Sequence, residues 1–252
     1  MAGAPAAALS GTMAVDLRSF TPARVGLGRT GHSVPTTELL RFQLDHARAR
    51  DAVYEELDPA SISAPHIVLR SAARDRATYL RRPDLGRVLS DESRARLEKG
   101  AYDAAIVIAD GLSAPAVHRH AAPLLAELMP QLAEHGWQVA PLTVVLQGRV
   151  AVGDEIGQRL GARLVVVLIG ERPGLTAPDS LGIYLTWDPR PGRTDAERNC
   201  ISNVRLEGVG YAAAAQRLLL LMLAARARRL SGVALKEEGL CELERGAESH
   251  KR

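Results

Sequence analysis

The sequence predicts an α/β fold: a mostly parallel sheet with helices on both faces, entered through a helical N-terminal extension. Three observations predict it. Leu164-Val-Val-Val-Leu-Ile169 is a continuous apolar run, the pattern of a strand buried on both faces. From Tyr102 onward, strand and helix patterns alternate in the rhythm of right-handed crossovers. The apolar runs stop abruptly at polar loops such as Gly170-Glu-Arg-Pro-Gly174, and an open α/β sheet builds its ligand crevice at such exits.

Taken in order, residues 1–35 read as an irregular arm of small residues followed by Gly, Pro and Arg. Within it, Gly26-Leu-Gly-Arg-Thr-Gly31 matches GxGxxG, but no buried strand precedes it and His32-Ser-Val-Pro35 follows. Without a surrounding βαβ unit the match does not mark a dinucleotide site. Thr36 or Thr37 caps an amphipathic helix that runs to about Leu57. Ile67-Val-Leu69 is a short apolar piece, Arg70 to Arg82 is strongly basic, and Arg87 to Glu98 carries a short helix capped by Ser90 or Asp91. Residues 36–100 are therefore expected to form the helical extension.

The sheet domain is expected over 101–236. Asp103 to Asp110 is a buried strand, and Ser113 caps a helix that Gly136 stops after about Glu134. Val139 to Leu146 is the next strand, Arg149 to Leu160 a helix, Leu164 to Ile169 a strand and Leu181 to Trp187 another. A Pro-rich turn then leads to Arg198-Asn-Cys-Ile-Ser-Asn203, and Val209 to Leu230 is a long Ala/Leu helix covering one face. The charged segment 237–252 reads as a frayed tail.

Composition narrows the function classes. The 252 residues are 46% hydrophobic but only 4% aromatic, so the core is mostly Ala, Val, Leu and Ile, and few rings remain to stack single-stranded nucleic acid. Net charge is +3, with basic residues interleaved with acids, which argues for a mixed surface and against a nucleic-acid patch. Two cysteines, Cys200 and Cys241, form neither a disulfide framework nor a metal motif and suit a reducing cytoplasmic compartment. No apolar run reaches the length of a membrane span. The Ala-rich start lacks the basic leader and apolar core of a secretory signal.

If the strands are parallel, the loops at 110–113, 147–150, 170–174 and 199–203 share one edge. They offer backbone amides beside glycines and some hydrogen-bonding side chains, but no acid–base pair, nucleophile–base set or metal cluster. This composition suits binding a large ligand with polar edges better than transforming one. Each residue has a simpler role beside the functional one. Asp110 caps its own turn, Glu171 pairs with Arg172 or another surface Arg, and Cys200 is a small buried hydrophobe. His118 and His120, two apart on a helix, face different ways and do not share a metal. A nucleotide-using enzyme remains an alternative, although Ala109-Asp-Gly-Leu-Ser113 is glycine-poor for it; so does a non-catalytic module that docks through its basic arm.

Three segments carry a resemblance: Gly148-Arg-Val-Ala-Val-Gly-Asp-Glu-Ile-Gly157, Leu168-Ile-Gly-Glu-Arg-Pro-Gly-Leu175 and Arg198-Asn-Cys-Ile-Ser-Asn203. They closely resemble the small (light) subunit of ethanolamine ammonia-lyase. Arg24 to Arg29, Leu39 to Val53 and Ala109 to Ala114 look like the same family, so the likeness spans about residues 15 to 235. It implies a Rossmann-like domain and a part in an adenosylcobalamin-dependent lyase that converts ethanolamine to acetaldehyde and ammonia. It also implies a hetero-oligomer with a large subunit, a TIM barrel holding the substrate and most catalytic groups. Cobalamin contacts carry over to Val150, Glu171 and Cys200, and no catalytic residue is expected in this chain. Asn199 departs from the residue the family often has before that Cys. The DxHxxG motif of base-off cobalamin proteins is absent, so base-on cobalamin is expected. The resemblance leaves open whether the enzyme sits free in the cytosol or inside a bacterial microcompartment.

Overall fold

The structure, a computed structural model, describes residues 20–21, 23–27 and 31–235. The Ala-rich start, Gly28 to Thr30 of the GxGxxG match, Cys241 and the charged tail lie outside the described residues. The chain divides into two units, residues 1–45 and 46–252. In the first, Arg24 bonds Asp45 at 2.6 Å and lies 5.0 Å from the Phe42 ring centroid. The second holds the sheet.

The elements in chain order are α1 (Thr36–Tyr54), β1 (His66–Arg70), α2 (Arg76–Arg81), α3 (Asp91–Ala95), β2 (Tyr102–Ala109), α4 (Ala114–Glu134), β3 (Leu142–Leu146), α5 (Val152–Leu160), β4 (Ala162–Gly170), β5 (Leu181–Trp187), β6 (Arg198–Val204) and α6 (Tyr211–Arg228). The caps follow the sequence signals. Ser113 accepts from the Ala116 amide ahead of α4, Ser90 from the Ser93 amide ahead of α3, and Gly161 ends α5 in the left-handed region.

The fold is α/β, but its six-stranded sheet is mixed, in the order β1-β3-β2-β4-β5-β6. The pairs β1·β3, β3·β2 and β2·β4 are parallel, whereas β4·β5 and β5·β6 are antiparallel. This refines the mostly parallel expectation: five of the six strands run in one direction and β5 alone is reversed. A parallel neighbour needs a crossover connection, usually a helix. Helices α4 and α5 supply it after β2 and β3, but no α-helix lies between β4 and β5 or between β5 and β6, where only a 3-10 turn at Asp195–Glu197 intervenes, so the chain turns back on itself.

The expected helical extension over 36–100 is corrected as well. Ile67-Val-Leu69 lies in β1, an edge strand of the sheet paired in register from His66↔Leu142 to Arg70↔Leu146. A five-residue strand whose partner lies some seventy-five residues away leaves only a faint local pattern.

Helices cover both faces, and strand alternation divides the core accordingly. Ala104, Ile106 and Ile108 of β2 pack in one cluster with Leu124 and Leu128 of α4 and Leu218 and Met222 of α6. Ala105, Val107 and Ala109 pack in the other with Val152, Ile156 and Leu160 of α5. Burial of strands on both faces explains why β2 and β4 read as unbroken apolar runs.

Candidate functional site

The site is built where the exits of β2, β3 and β4 meet the start of α5. Asp110 organises it. Its carboxylate is fully buried and accepts from the Gln147 and Gly148 amides, both at 2.8 Å, so it clamps the exit of β3 in addition to engaging the Gly111 amide of its own turn. Gln147 sits at φ 59°, a left-handed turn that those bonds hold in place. Arg76 reaches Asp110 at 3.4 Å, the Gly111 carbonyl at 2.9 Å and the Val53 carbonyl at 2.7 Å. Burial pushes the Asp110 pKa up to about 6, more than Arg76 and the amides pull it down.

The clamped turn presents Arg149 and Val150. Both line a cavity of about 420 Å³ together with Leu112, Ile169, Glu171 and Tyr184. Gly111 lets the exits of β2 and β4 close on each other: it sits at φ 57°, and a Cβ there would run into the Gly170 carbonyl oxygen. At Gly182 a Cβ would come within 3.1 Å of the Glu171 side chain, so this glycine makes room for the carboxylate to fold over β5.

Val150 and Glu171 thus share one cavity, and Cys200 stands beside it. Cys200 is not at a strand exit, as its sequence placement suggested, but in the body of β6, directly opposite Tyr184, which itself opposes Val167. Tyr184 packs with the α5-side core, so Cys200 shares that face. The site is therefore a corner between the exit edge and the outer wall of the sheet. The simpler roles give way too. Glu171 pairs with no arginine among the described residues; its Oε2 accepts from the Asn203 amide at 3.1 Å. Cys200 is exposed rather than buried.

Although Cys200 keeps an exposed flank, protein crowding its thiol raises its pKa; the Tyr184 hydroxyl pulls it back and the Glu171 charge raises it further. A thiol held protonated is no nucleophile. Tyr184 is raised chiefly by burial and then by Cys200 and Glu171. The corner therefore presents a carboxylate acceptor, a neutral thiol, a phenol, a guanidinium and apolar side chains.

Behind it, Arg198 grips Asp154 through two bonds of 2.7 Å and also donates to Thr186 at 2.9 Å and the Arg193 carbonyl at 3.0 Å. This buried pair ties β6, which carries Cys200, to α5, which follows Val150. The sequence reading missed it, and missed Arg149 and Tyr184 as wall residues. The available signal was an acid, Asp154, within an otherwise buried helix turn, but its partner lies forty-four residues away. His118 and His120 do part: His118 accepts from the Asp58 amide and bonds Glu55, while His120 bonds Tyr211 at 2.9 Å. Among the described residues no group of three or more His, Cys, Asp or Glu side chains is placed to hold a metal. None of their helices is long and apolar enough to cross a membrane.

Fold and corner together define an α/β protein with a cavity-bearing corner at the exits of its parallel strands. Its walls carry hydrogen-bonding groups around an apolar floor. Residues 12–236 match the family model described as "Ethanolamine ammonia-lyase light chain (EutC)", and the chain belongs to that family. It is 56% identical over 237 residues to the ethanolamine ammonia-lyase small subunit of Pseudomonas fluorescens SBW25, covering 89% of this chain and 86% of that one. The small subunits of Ralstonia nicotianae GMI1000 (234 residues, 88% of this chain and 87% of that one) and Azotobacter vinelandii DJ (236 residues, 88% and 87%) are each 58% identical to it. The chain is a component of a lyase.

Proposed function

We propose that this chain binds and positions base-on adenosylcobalamin at its interface with the large, TIM-barrel subunit of an ethanolamine ammonia-lyase. The observation that carries the reading is the convergence of Val150 and Glu171 on one cavity with Cys200 on the adjoining wall. A cytoplasmic setting, free or within a microcompartment, belongs to the same reading.

The residues fit the group. A corrinoid is a broad ring fringed with amides, which need acceptors and donors in turn. Glu171 keeps Oε1 free of hydrogen bonds among the described residues and can accept from an amide N–H. Arg149 buries an Nε that has no hydrogen-bond partner and can donate. Val150, Leu112 and Ile169 give the ring an apolar bed. When bound, adenosylcobalamin supplies the radical chemistry that turns ethanolamine into acetaldehyde and ammonia. This chain's residues orient the ring and keep water from one side of it, and none of them acts as an acid, base or nucleophile.

The test is reconstitution with the large subunit and titration with adenosylcobalamin, followed by visible absorption. The expected result is no ethanolamine turnover by the chain alone, activity on mixing, and at least about tenfold weaker corrinoid binding in Glu171→Ala. Turnover by the lone chain, or unchanged binding in Glu171→Ala, overturns the proposal. EPR of the Co(II) form tests base-on binding: nitrogen splitting that responds to isotopic labelling of protein histidine contradicts it.

A further inference from the structure

Arg149 and Val150 line a second cavity as well as the first. It measures about 560 Å³, and its wall carries Arg87, Arg149, Arg193 and Arg198 against a single carboxylate, Asp195. Two of these arginines are already engaged. Arg193 pairs with Asp188 and Glu197, and Arg198 with Asp154, leaving its Nε only a long 3.5 Å contact to Asp195.

The other two lack counter-charges. Arg87 makes no ion pair or side-chain hydrogen bond among the described residues. Arg149 is half-buried and forms no ion pair among the described residues; its guanidinium lies 4.4 Å from the Tyr79 ring centroid, and its Nε is buried without a hydrogen-bond partner. The two are held side by side. The Arg149 amide donates to the Gly86 carbonyl at 2.8 Å, and a Cβ at Gly86 would come within 2.9 Å of the Arg149 side chain. A guanidinium withdrawn from water without a counter-charge is costly, and its planar fork matches phosphate oxygens. Helix α5 begins at the same place with no side-chain cap, adding the positive end of its dipole, although its first amides already bond the carbonyls of residues 149–151.

The geometry points to an anion subsite in which Arg87 and Arg149 take a phosphodiester, and we assign it to the phosphodiester of the corrinoid's nucleotide tail. The assignment rests on the cobalamin reading above. Val150 stands between the two cavities, so a ring in the first places its tail within reach of the second.

The experiment compares cobalamin with cobinamide, the same ring without the nucleotide and its phosphodiester, on the reconstituted two-subunit enzyme by visible absorption. Arg87→Ala removes a side chain with no hydrogen bond or ion pair to lose among the described residues, and Arg149→Lys keeps the charge but removes the fork. Arg87→Ala is expected to bind cobalamin about tenfold more weakly while its cobinamide affinity stays unchanged, and Arg149→Lys, whose side chain also lines the ring's cavity, is expected to lose more affinity for cobalamin than for cobinamide. Inorganic phosphate is expected to weaken cobalamin binding in the unaltered enzyme and not in Arg87→Ala. Parallel losses for both corrinoids, or no loss for either, overturn the subsite while leaving the corrinoid reading intact. Heat stabilisation by inorganic phosphate that persists at saturating cobalamin gives the site to a free phosphate and overturns the assignment to the tail. Failure of the unaltered enzyme to bind either corrinoid overturns the cobalamin reading itself.

Discussion

The Arg198–Asp154 pair permits the sharpest test of how the corner is held. The side chain of Arg198 is 3% exposed and that of Asp154 1%, and the guanidinium makes four hydrogen bonds, two to the carboxylate. Burial raises the Asp154 pKa more than Arg198 lowers it, so the carboxylate is poorly placed to stay charged alone. Arg198→Met keeps much of the volume and strips away every one of those bonds. Breaking a buried pair by removing one partner costs about 3–5 kcal/mol. That is a large share of the roughly 5–15 kcal/mol that holds a typical domain folded. Urea unfolding of the isolated chain, followed by circular dichroism, should show a lower midpoint with an unchanged slope. Because Arg198 is two residues from Cys200 in β6, the Cys200 thiol should also react faster with a disulfide reagent. The double variant Asp154→Leu/Arg198→Met should be less destabilised than Arg198→Met alone, since no charge is then left buried. A loss below about 1 kcal/mol in Arg198→Met, or strictly additive losses in the double variant, refutes the claim that this pair fastens β6 to α5.

Three further outcomes follow from the same geometry. The Asp110 pKa is raised from 3.8 to about 6, so the folded state holds the proton more tightly than the unfolded one; on this account stability falls as pH rises across that window, and Asp110→Asn should lower stability overall while flattening the slope in pH-dependent melting. Glu197 has the opposite sign: bonds from Thr194 and Arg193 lower its pKa from 4.5 to about 2, so its contribution is present above pH 4.5 and lost as pH falls toward 2, and Glu197→Gln should remove that acid-side loss. Gly111→Ala places a side chain at positive φ and against the Gly170 carbonyl, so it should destabilise by more than about 1 kcal/mol in urea unfolding and weaken corrinoid binding with it.

The parts of the fold legible in the sequence were those with a local cause. Strands β2 and β4 announce themselves because burial on both faces demands unbroken apolar runs, and α3 and α4 because Ser90 and Ser113 are chemically suited to cap them. What was not legible depends on partners distant in sequence. Strand β1 is defined by its pairing with β3, and the direction of β5 by the want of a helix after β4, a signal present in the chain but outweighed by the α/β rhythm before it. Asp110 shows the same limit at the level of one side chain. An Asp at a strand exit ordinarily caps its own turn, and only the tertiary placement of β3 beside β2 hands the carboxylate two other amides.

Sheet direction also explains why the three site residues converge differently from a row of strand exits. Val150 and Glu171 sit just past β3 and β4, as parallel strands require. Cys200 opposes Tyr184 and, through it, Val167, three residues short of the end of β4, or about 10 Å down the wall at strand rise. Had β5 and β6 continued the parallel pattern, the site would have been a line of loops, each free to move by itself. With β5 and β6 as an antiparallel wing, the rim turns a corner onto a hydrogen-bonded surface, and Gly182 gives Glu171 the space to lie along it. A flat ring laid in that corner meets loop atoms on one side and sheet side chains on the other. The mixed topology therefore gives the domain two walls at one corner, so that a ligand held there would leave its opposite side open to another polypeptide.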